Sequence, residues 1–156
     1  MQSGRNLLEE LMEEHAYVFH GSENPDLKLF EPQQAYNYRS GTPEPDGDPA
    51  VFASSDPAYA ILMALVNKKN CPHGFYSSAG AARGVDGSVT LRLKMNKKAY
   101  SQLDEKSEGF VYVFDKHKFQ QRSDGGVEYR SFLPVVPLKI ITVTKEDLPP
   151  TVEIIE

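Results

Sequence analysis

The chain has 156 residues, of which 40% are hydrophobic and 25% are charged, enough for one domain with a buried core. Its formal net charge of −5 disfavours a nucleic-acid-binding surface, because such domains are usually basic. The single cysteine, Cys71, excludes an internal disulfide and a cysteine-rich zinc site. No apolar run reaches the ~18 residues of a membrane helix, and the acidic N-terminal segment does not read as a signal peptide. The sequence predicts one cytoplasmic domain over residues 1–156.

The chain opens with a predicted helix and a predicted strand. Apolar residues recur on one stripe of residues 6–15, which indicates an amphipathic helix docked on the core. Tyr17, Val18 and Phe19 are strong strand formers, which predicts a strand over residues 17–20. Alternation places Phe19 on one face of this strand and His20 on the other.

A second strand and a buried helix are predicted after a long loop. Residues 33–49 combine prolines, glycines and acids with few aliphatic side chains, which predicts a mobile surface loop that either folds over a ligand or has no ligand role. Residues 50–54 form the predicted strand. The helix over residues 57–67 begins with Pro57, a residue favoured at the first helical position, and is apolar on nearly every side.

The second half of the chain is predicted to be rich in strands. Residues 71–87 show no periodicity and are interpreted as a connector, and residues 97–104 as a short helix or turn. There is no internal repeat and no alternation of strands and helices, so the sequence predicts an α+β fold with mainly antiparallel sheet. The predicted strands lie at residues 88–95, 110–114, 127–132 (after a turn at 123–126) and 135–144, with a last edge strand or loose end at 152–155.

The common catalytic and metal-binding motifs are absent from the sequence. No pair of the four histidines has metal-ligand spacing, so no metal site is predicted. Cys71 precedes Pro72 in a connector without any sign of an activated thiol.

Three separated segments carry the remaining candidate chemistry, each at a strand. They are His20-Gly21-Ser22, then Phe52-Ala53-Ser54-Ser55 with Tyr59 in the following helix, and Glu128-Tyr129-Arg130-Ser131. In this order they resemble the ADP-ribosyltransferase superfamily. The resembling branch has a His–Tyr–Glu triad and includes diphtheria-toxin-like enzymes and poly(ADP-ribose) polymerases. The resemblance covers about residues 17–144.

The resemblance implies a fold, a substrate and a set of contacts. The fold would be two split antiparallel sheets packed face to face, with a few flanking helices. The substrate would be NAD, with no metal, and Ser22 and Ser54 would belong to the NAD-binding residues.

The resemblance also implies individual roles. His20 would hydrogen-bond the adenosine ribose, and the backbone of Gly21 would bind the nicotinamide amide. Phe52 and Tyr59 would sandwich the nicotinamide ring. Glu128 would act with His20 as the catalytic pair, orienting the nicotinamide ribose through its 2′-hydroxyl. Cleavage of the nicotinamide–ribose bond develops an oxocarbenium-like cation, which a nearby carboxylate stabilises.

Two positions depart from the family pattern and leave alternatives open. Phe52 replaces the expected tyrosine and keeps stacking without the hydroxyl, and Gly126 stands where many protein-modifying members carry Glu or Gln. Arginine-directed transfer is therefore disfavoured. The expected activity is mono-ADP-ribosyl transfer to an unknown protein or small-molecule acceptor, or NAD hydrolysis. The alternatives are a catalytically inactive interaction module of the same fold and an RNA 2′-phosphotransferase, whose basic groove this acidic chain does not display.

Overall fold

The computed structural model describes residues 2–122 and 126–156. In these residues the chain forms a mixed α+β fold, as predicted. The turn predicted at 123–126 lies outside the described residues except for Gly126. The elements are α1 Gly4–Glu13, β1 Tyr17–Ser22, β2 Tyr36–Asn37, β3 Glu44–Pro45, β4 Val51–Ser54, α2 Pro57–Leu65, β5 Ser77–Arg83, β6 Val89–Asn96, α3 Lys97–Gln102, β7 Glu108–Asp115, β8 Gln120–Gln121, β9 Glu128–Ser131, β10 Lys139–Thr144 and β11 Glu153–Ile155.

The strands form two main sheets and a small hairpin. The large sheet has six antiparallel strands in the order β10-β7-β1-β4-β9-β8. The second sheet has the order β11-β6-β5, with β5 antiparallel and β11 parallel to β6. Strands β2 and β3 pair with each other inside the 33–49 segment, which was predicted as a loop. Strand β5 lies within the predicted connector 71–87, so that prediction was wrong there.

Helix α2 packs between the two sheets. Its N-terminus is capped by Asp56, whose Oδ1 accepts from the Ala58 N–H at 2.9 Å, and the helix ends at Leu65, two residues earlier than predicted. One side of α2 packs on large-sheet residues that include Phe19, and the other packs on small-sheet residues that include Met95. Helix α2 is the helix predicted after the second strand, and it contacts both sheets.

The alternation predicted for the first strand is confirmed. Phe19 packs with α1 and α2 on one face of the large sheet. Val18 packs on the opposite face, where the His20 ring meets the Phe30 ring edge-on at 5.1 Å between centroids. No helix in the described ranges combines the length and apolar character needed to cross a membrane.

Two glycines let α2 approach the large sheet closely. A Cβ added at Gly21 would lie 2.0 Å from the Ala60 carbonyl oxygen, and one added at Gly109 would lie 2.2 Å from the Ala64 carbonyl oxygen. Both distances are far below van der Waals contact. The absence of a side chain at Gly21 is therefore a requirement of helix packing.

Replacing Gly21 by Ala is expected to lower the free energy of unfolding by about 3 kcal/mol, because the new methyl group has no space between β1 and α2. Chemical denaturation of the purified variant measures this loss. Gly80→Ala is the matched control, since nothing lies within 4 Å of its added Cβ. The control should stay within about 0.5 kcal/mol of the wild type. Equal stability of both variants would contradict the packing requirement.

Candidate functional site

Three neighbouring strands bring the predicted site residues together. His20 lies on β1, Phe52 on β4 and Glu128 on β9, and these strands are consecutive in the large sheet. Ser54 pairs across one ladder with Phe19 and across the other with Glu128. Segments that are far apart in the sequence therefore meet at one place.

A cleft of about 510 Å³ opens where these strands face the small sheet and the first turn of α2. This volume lies within the ordinary range for small-molecule sites. Ser22 is not among the lining residues, and its Oγ accepts from the Asn24 N–H at 3.0 Å in the following turn. The predicted residues that line the cleft are His20, Gly21, Phe52, Ser54, Tyr59 and Glu128.

His20 is held as a neutral imidazole with a defined tautomer. Its Nδ1 lies 2.8 Å from the carbonyl oxygen of Phe52. Because a carbonyl can only accept, Nδ1 carries the hydrogen and donates it, which leaves Nε2 as an acceptor. Burial lowers the pKa of His20 below its ordinary value of 6.5, and the hydrogen bond to Phe52 opposes part of that shift.

The two rings predicted to sandwich the nicotinamide, Phe52 and Tyr59, both line the cleft, and their environments differ. Tyr59 is 36% exposed, and burial, aided by the charge of Glu128, raises the pKa of its phenol above 10.0. Tyr59 is therefore an uncharged phenol at neutral pH. The Arg130 guanidinium lies over one face of the Phe52 ring, with 5.1 Å from Cζ to the centroid. One face of the Phe52 ring is thus already covered by a cation.

The Glu128 carboxylate is held through one oxygen. Arg122 Nη1 donates to Oε2 at 2.9 Å, and Arg130 Nε donates to the same oxygen at 3.3 Å. Arg130 also faces Asp46, with 3.9 Å from Nη2 to Oδ2. Within the described ranges, both arginines thus bond to Oε2, and no protein hydrogen bond ends at Oε1.

The sequence interpretation assigned no role to several residues that the structure places at the cleft: Arg122 and Asp46 line it, and Arg130 lies behind the lining and contacts Glu128 and Phe52. The position of Arg130 could have been predicted from the sequence, because it lies two residues after Glu128 on one strand and therefore shares its face. Arg122 and Asp46 lie outside the strands, where no periodicity predicts which way a side chain points. The small residues Ala79, Gly80 and Ala81 of β5 also line the cleft.

The described part of the chain contains no group of three or more His, Cys, Asp or Glu residues placed to hold a metal ion. Comparison of the chain with models of protein families, with curated proteins and with solved structures found no match. The geometry of the cleft is therefore the basis on which a function can be inferred.

The stability of the fold should depend on pH through His20. The folded state holds this imidazole with a lowered pKa, so below 6.5 the unfolded chain binds a proton that the folded chain does not. The free energy of unfolding should therefore fall as the pH drops from 7.5 towards the lowered pKa.

His20→Asn isolates this contribution, because the amide can still donate to the Phe52 carbonyl but does not titrate. Urea denaturation across this pH range should show a smaller loss of stability for His20→Asn than for the wild type. Parallel pH curves for the two proteins would show that His20 does not titrate with a lowered pKa.

Proposed function

We propose that this chain binds NAD in the cleft and cleaves the nicotinamide–ribose bond, passing ADP-ribose to an acceptor or to water. The observation that carries the proposal is the grouping of His20, Phe52, Tyr59 and Glu128 around one cleft. Each residue comes from the element that the resemblance to ADP-ribosyltransferases assigns to it. An ADP-ribosyltransferase-like fold is part of this proposal, supported by the consecutive β1, β4 and β9 strands.

The state of His20 suits contact with a ribose. Its Nδ1–H is occupied by the Phe52 carbonyl, so Nε2 accepts from a ribose hydroxyl. A neutral imidazole makes this contact without placing a positive charge beside the substrate. Gly21 lines the same cleft, and its backbone is proposed to bind the nicotinamide amide, although its lack of a side chain is already required by α2.

Glu128 supplies the electrostatic part of the reaction. In the proposed step, the bond between C1′ and the nicotinamide nitrogen breaks and its electron pair leaves with the nicotinamide. The oxocarbenium-like carbon is stabilised by the carboxylate, and Oε1 accepts the 2′-hydroxyl hydrogen of the same ribose. The acceptor oxygen, or a water oxygen, then bonds to C1′ and loses its proton. A second acid is not required, because nicotinamide leaves as a neutral base.

The charges in the cleft argue against RNA 2′-phosphate transfer. Arg122 and Arg130 contact the Glu128 carboxylate, and Arg130 also faces Asp46. Positive charge in the cleft is therefore largely compensated, whereas binding a nucleic-acid backbone depends on uncompensated Arg and Lys side chains.

Replacing Glu128 by Gln is expected to slow nicotinamide release from NAD by about 100-fold, because the transition state loses its counter-charge while the side chain keeps its shape. Chromatography of nicotinamide over a time course measures the rate. Glu153→Gln on β11 is the matched control, as another exposed strand glutamate outside the cleft lining, and should match the wild type. Equal rates for Glu128→Gln and the wild type would remove Glu128 from catalysis.

The stacking role of Tyr59 is tested by binding. NAD at 100-fold excess over Kd should stabilise the wild type by about 2.7 kcal/mol. Tyr59→Ala should weaken NAD binding about tenfold, in keeping with the worth of an aromatic contact, while Tyr59→Phe should bind as the wild type does. Calorimetric titration with NAD gives the three Kd values. Unaltered binding by Tyr59→Ala would exclude the stack.

A further inference from the structure

Arg130 connects three separate parts of the cleft. Its side chain is 13% exposed, and its guanidinium lies over the Phe52 ring. Nε and Nη2 both lie 3.3 Å from Glu128 Oε2, and Nη2 lies 3.9 Å from Asp46 Oδ2. One cation thus contacts the proposed stacking ring, the proposed catalytic carboxylate and the 33–49 segment.

The backbone of the 33–49 segment passes close to the Arg130 guanidinium, and internal hydrogen bonds hold it there. The Asp46 N–H donates to the Ala35 carbonyl at 2.8 Å, and the Gln34 side-chain amide donates to the Gly47 carbonyl at 2.9 Å. Gly47 has a φ of +74°, and a Cβ at this position would lie 2.7 Å from Arg130 Nη1. A residue without a side chain therefore stands where the segment passes Arg130. Ala35 and Asp46 of this segment line the cleft.

The contacts of Arg130 are incompletely satisfied. Nη2 is buried and makes no hydrogen bond, although it lies between two carboxylates. A buried donor without a hydrogen bond has a cost in free energy, which a shift of the 33–49 segment of about 1 Å towards Arg130 would relieve. The Asp46 contact is thus the adjustable one, while the contacts to Glu128 lie within one strand.

We propose that Arg130 is a positioning residue that couples the 33–49 segment to the Glu128 carboxylate. It holds Glu128 by Oε2, which leaves Oε1 for the substrate, and it fastens the segment to the cleft through Asp46. The part concerning substrate rests on the proposed NAD cleavage, and the coupling itself does not. The same guanidinium then holds the segment closed on a ligand and fixes the direction of the carboxylate.

The coupling is tested first without substrate, by hydrogen–deuterium exchange of the backbone amides in residues 33–49. Asp46→Asn, Arg130→Gln and Glu128→Gln should each accelerate exchange of the backbone amide at position 46 at least threefold, after correction for the intrinsic rate of the residue there. The Glu128 variant is decisive, because among the described residues Arg130 is what links Glu128 to Asp46 of the segment. Arg39→Gln, an exposed arginine of the same segment outside the cleft lining, is the control and should leave exchange at Asp46 unchanged. Unchanged exchange at Asp46 in Glu128→Gln would overturn the coupling.

Steady-state NAD cleavage then separates the two roles of Arg130. Asp46→Asn should raise KM several-fold with kcat within twofold, because the segment loosens while Glu128 stays held. Arg130→Gln should lower kcat at least tenfold and raise KM as well, and Arg130→Lys should recover part of kcat by restoring the charge. Wild-type kcat in Arg130→Gln would overturn the positioning role. An inactive wild type would instead refute the proposed function, and amide exchange alone would then decide the coupling.

Discussion

The close approach of α2 to the large sheet is the constraint on which the rest of the structure depends. Gly21 and Gly109 leave room for the helix backbone at Ala60 and Ala64, so the helix lies directly on β1 and β7. Its other side then carries the small sheet, through a second set of buried side chains. A helix displaced by even one methyl group would carry its first turn away from the strands that bear the candidate site. Tyr59 lies in that turn, so the shape of the cleft follows from helix packing.

The charges of the cleft show a second constraint. Glu128 faces two guanidinium groups, one of which also faces Asp46. A carboxylate held in this way is fixed in direction, which the proposed stabilisation of a developing cation requires. The same cations also reduce the effective negative charge of Glu128. Fixing the orientation of the carboxylate therefore weakens the negative potential that it produces in the cleft. Convergence of both arginines on Oε2 resolves this conflict geometrically, because Oε1 accepts from neither of them.

The parts of the fold that were predicted from sequence are those with a strong local signal. Strong strand formers predicted β1, alternating apolar residues predicted β6, and Pro57 at the first helical position predicted the start of α2. Strand β5 was missed because Ser, Ala and Gly give no alternation and have low strand propensity, and its pairing with β6 makes it a strand. Val135 was expected inside the last long strand, but Pro137 interrupts the backbone donors and Val135 instead bridges to Phe30.

The grouping of His20, Phe52 and Glu128 was expected from the resemblance. The contact of Asp46 with Arg130 was not, because it depends on where a long loop returns to the sheet. Local sequence patterns do not encode that path.

The hydrogen bond of His20 to Phe52 bears on how the cleft opens. In the described residues the ladder between β1 and β4 has one residue pair, Phe19 with Ser54, and the side chain of His20 makes the next link to the Phe52 carbonyl. The imidazole donates where a backbone N–H would otherwise do so, which keeps the two strands hydrogen-bonded beyond the end of their regular pairing. The cleft lies at that point. The bond at Nδ1 joins the strands and selects the tautomer. That tautomer leaves Nε2 as an acceptor, which is the state that the proposed ribose contact requires.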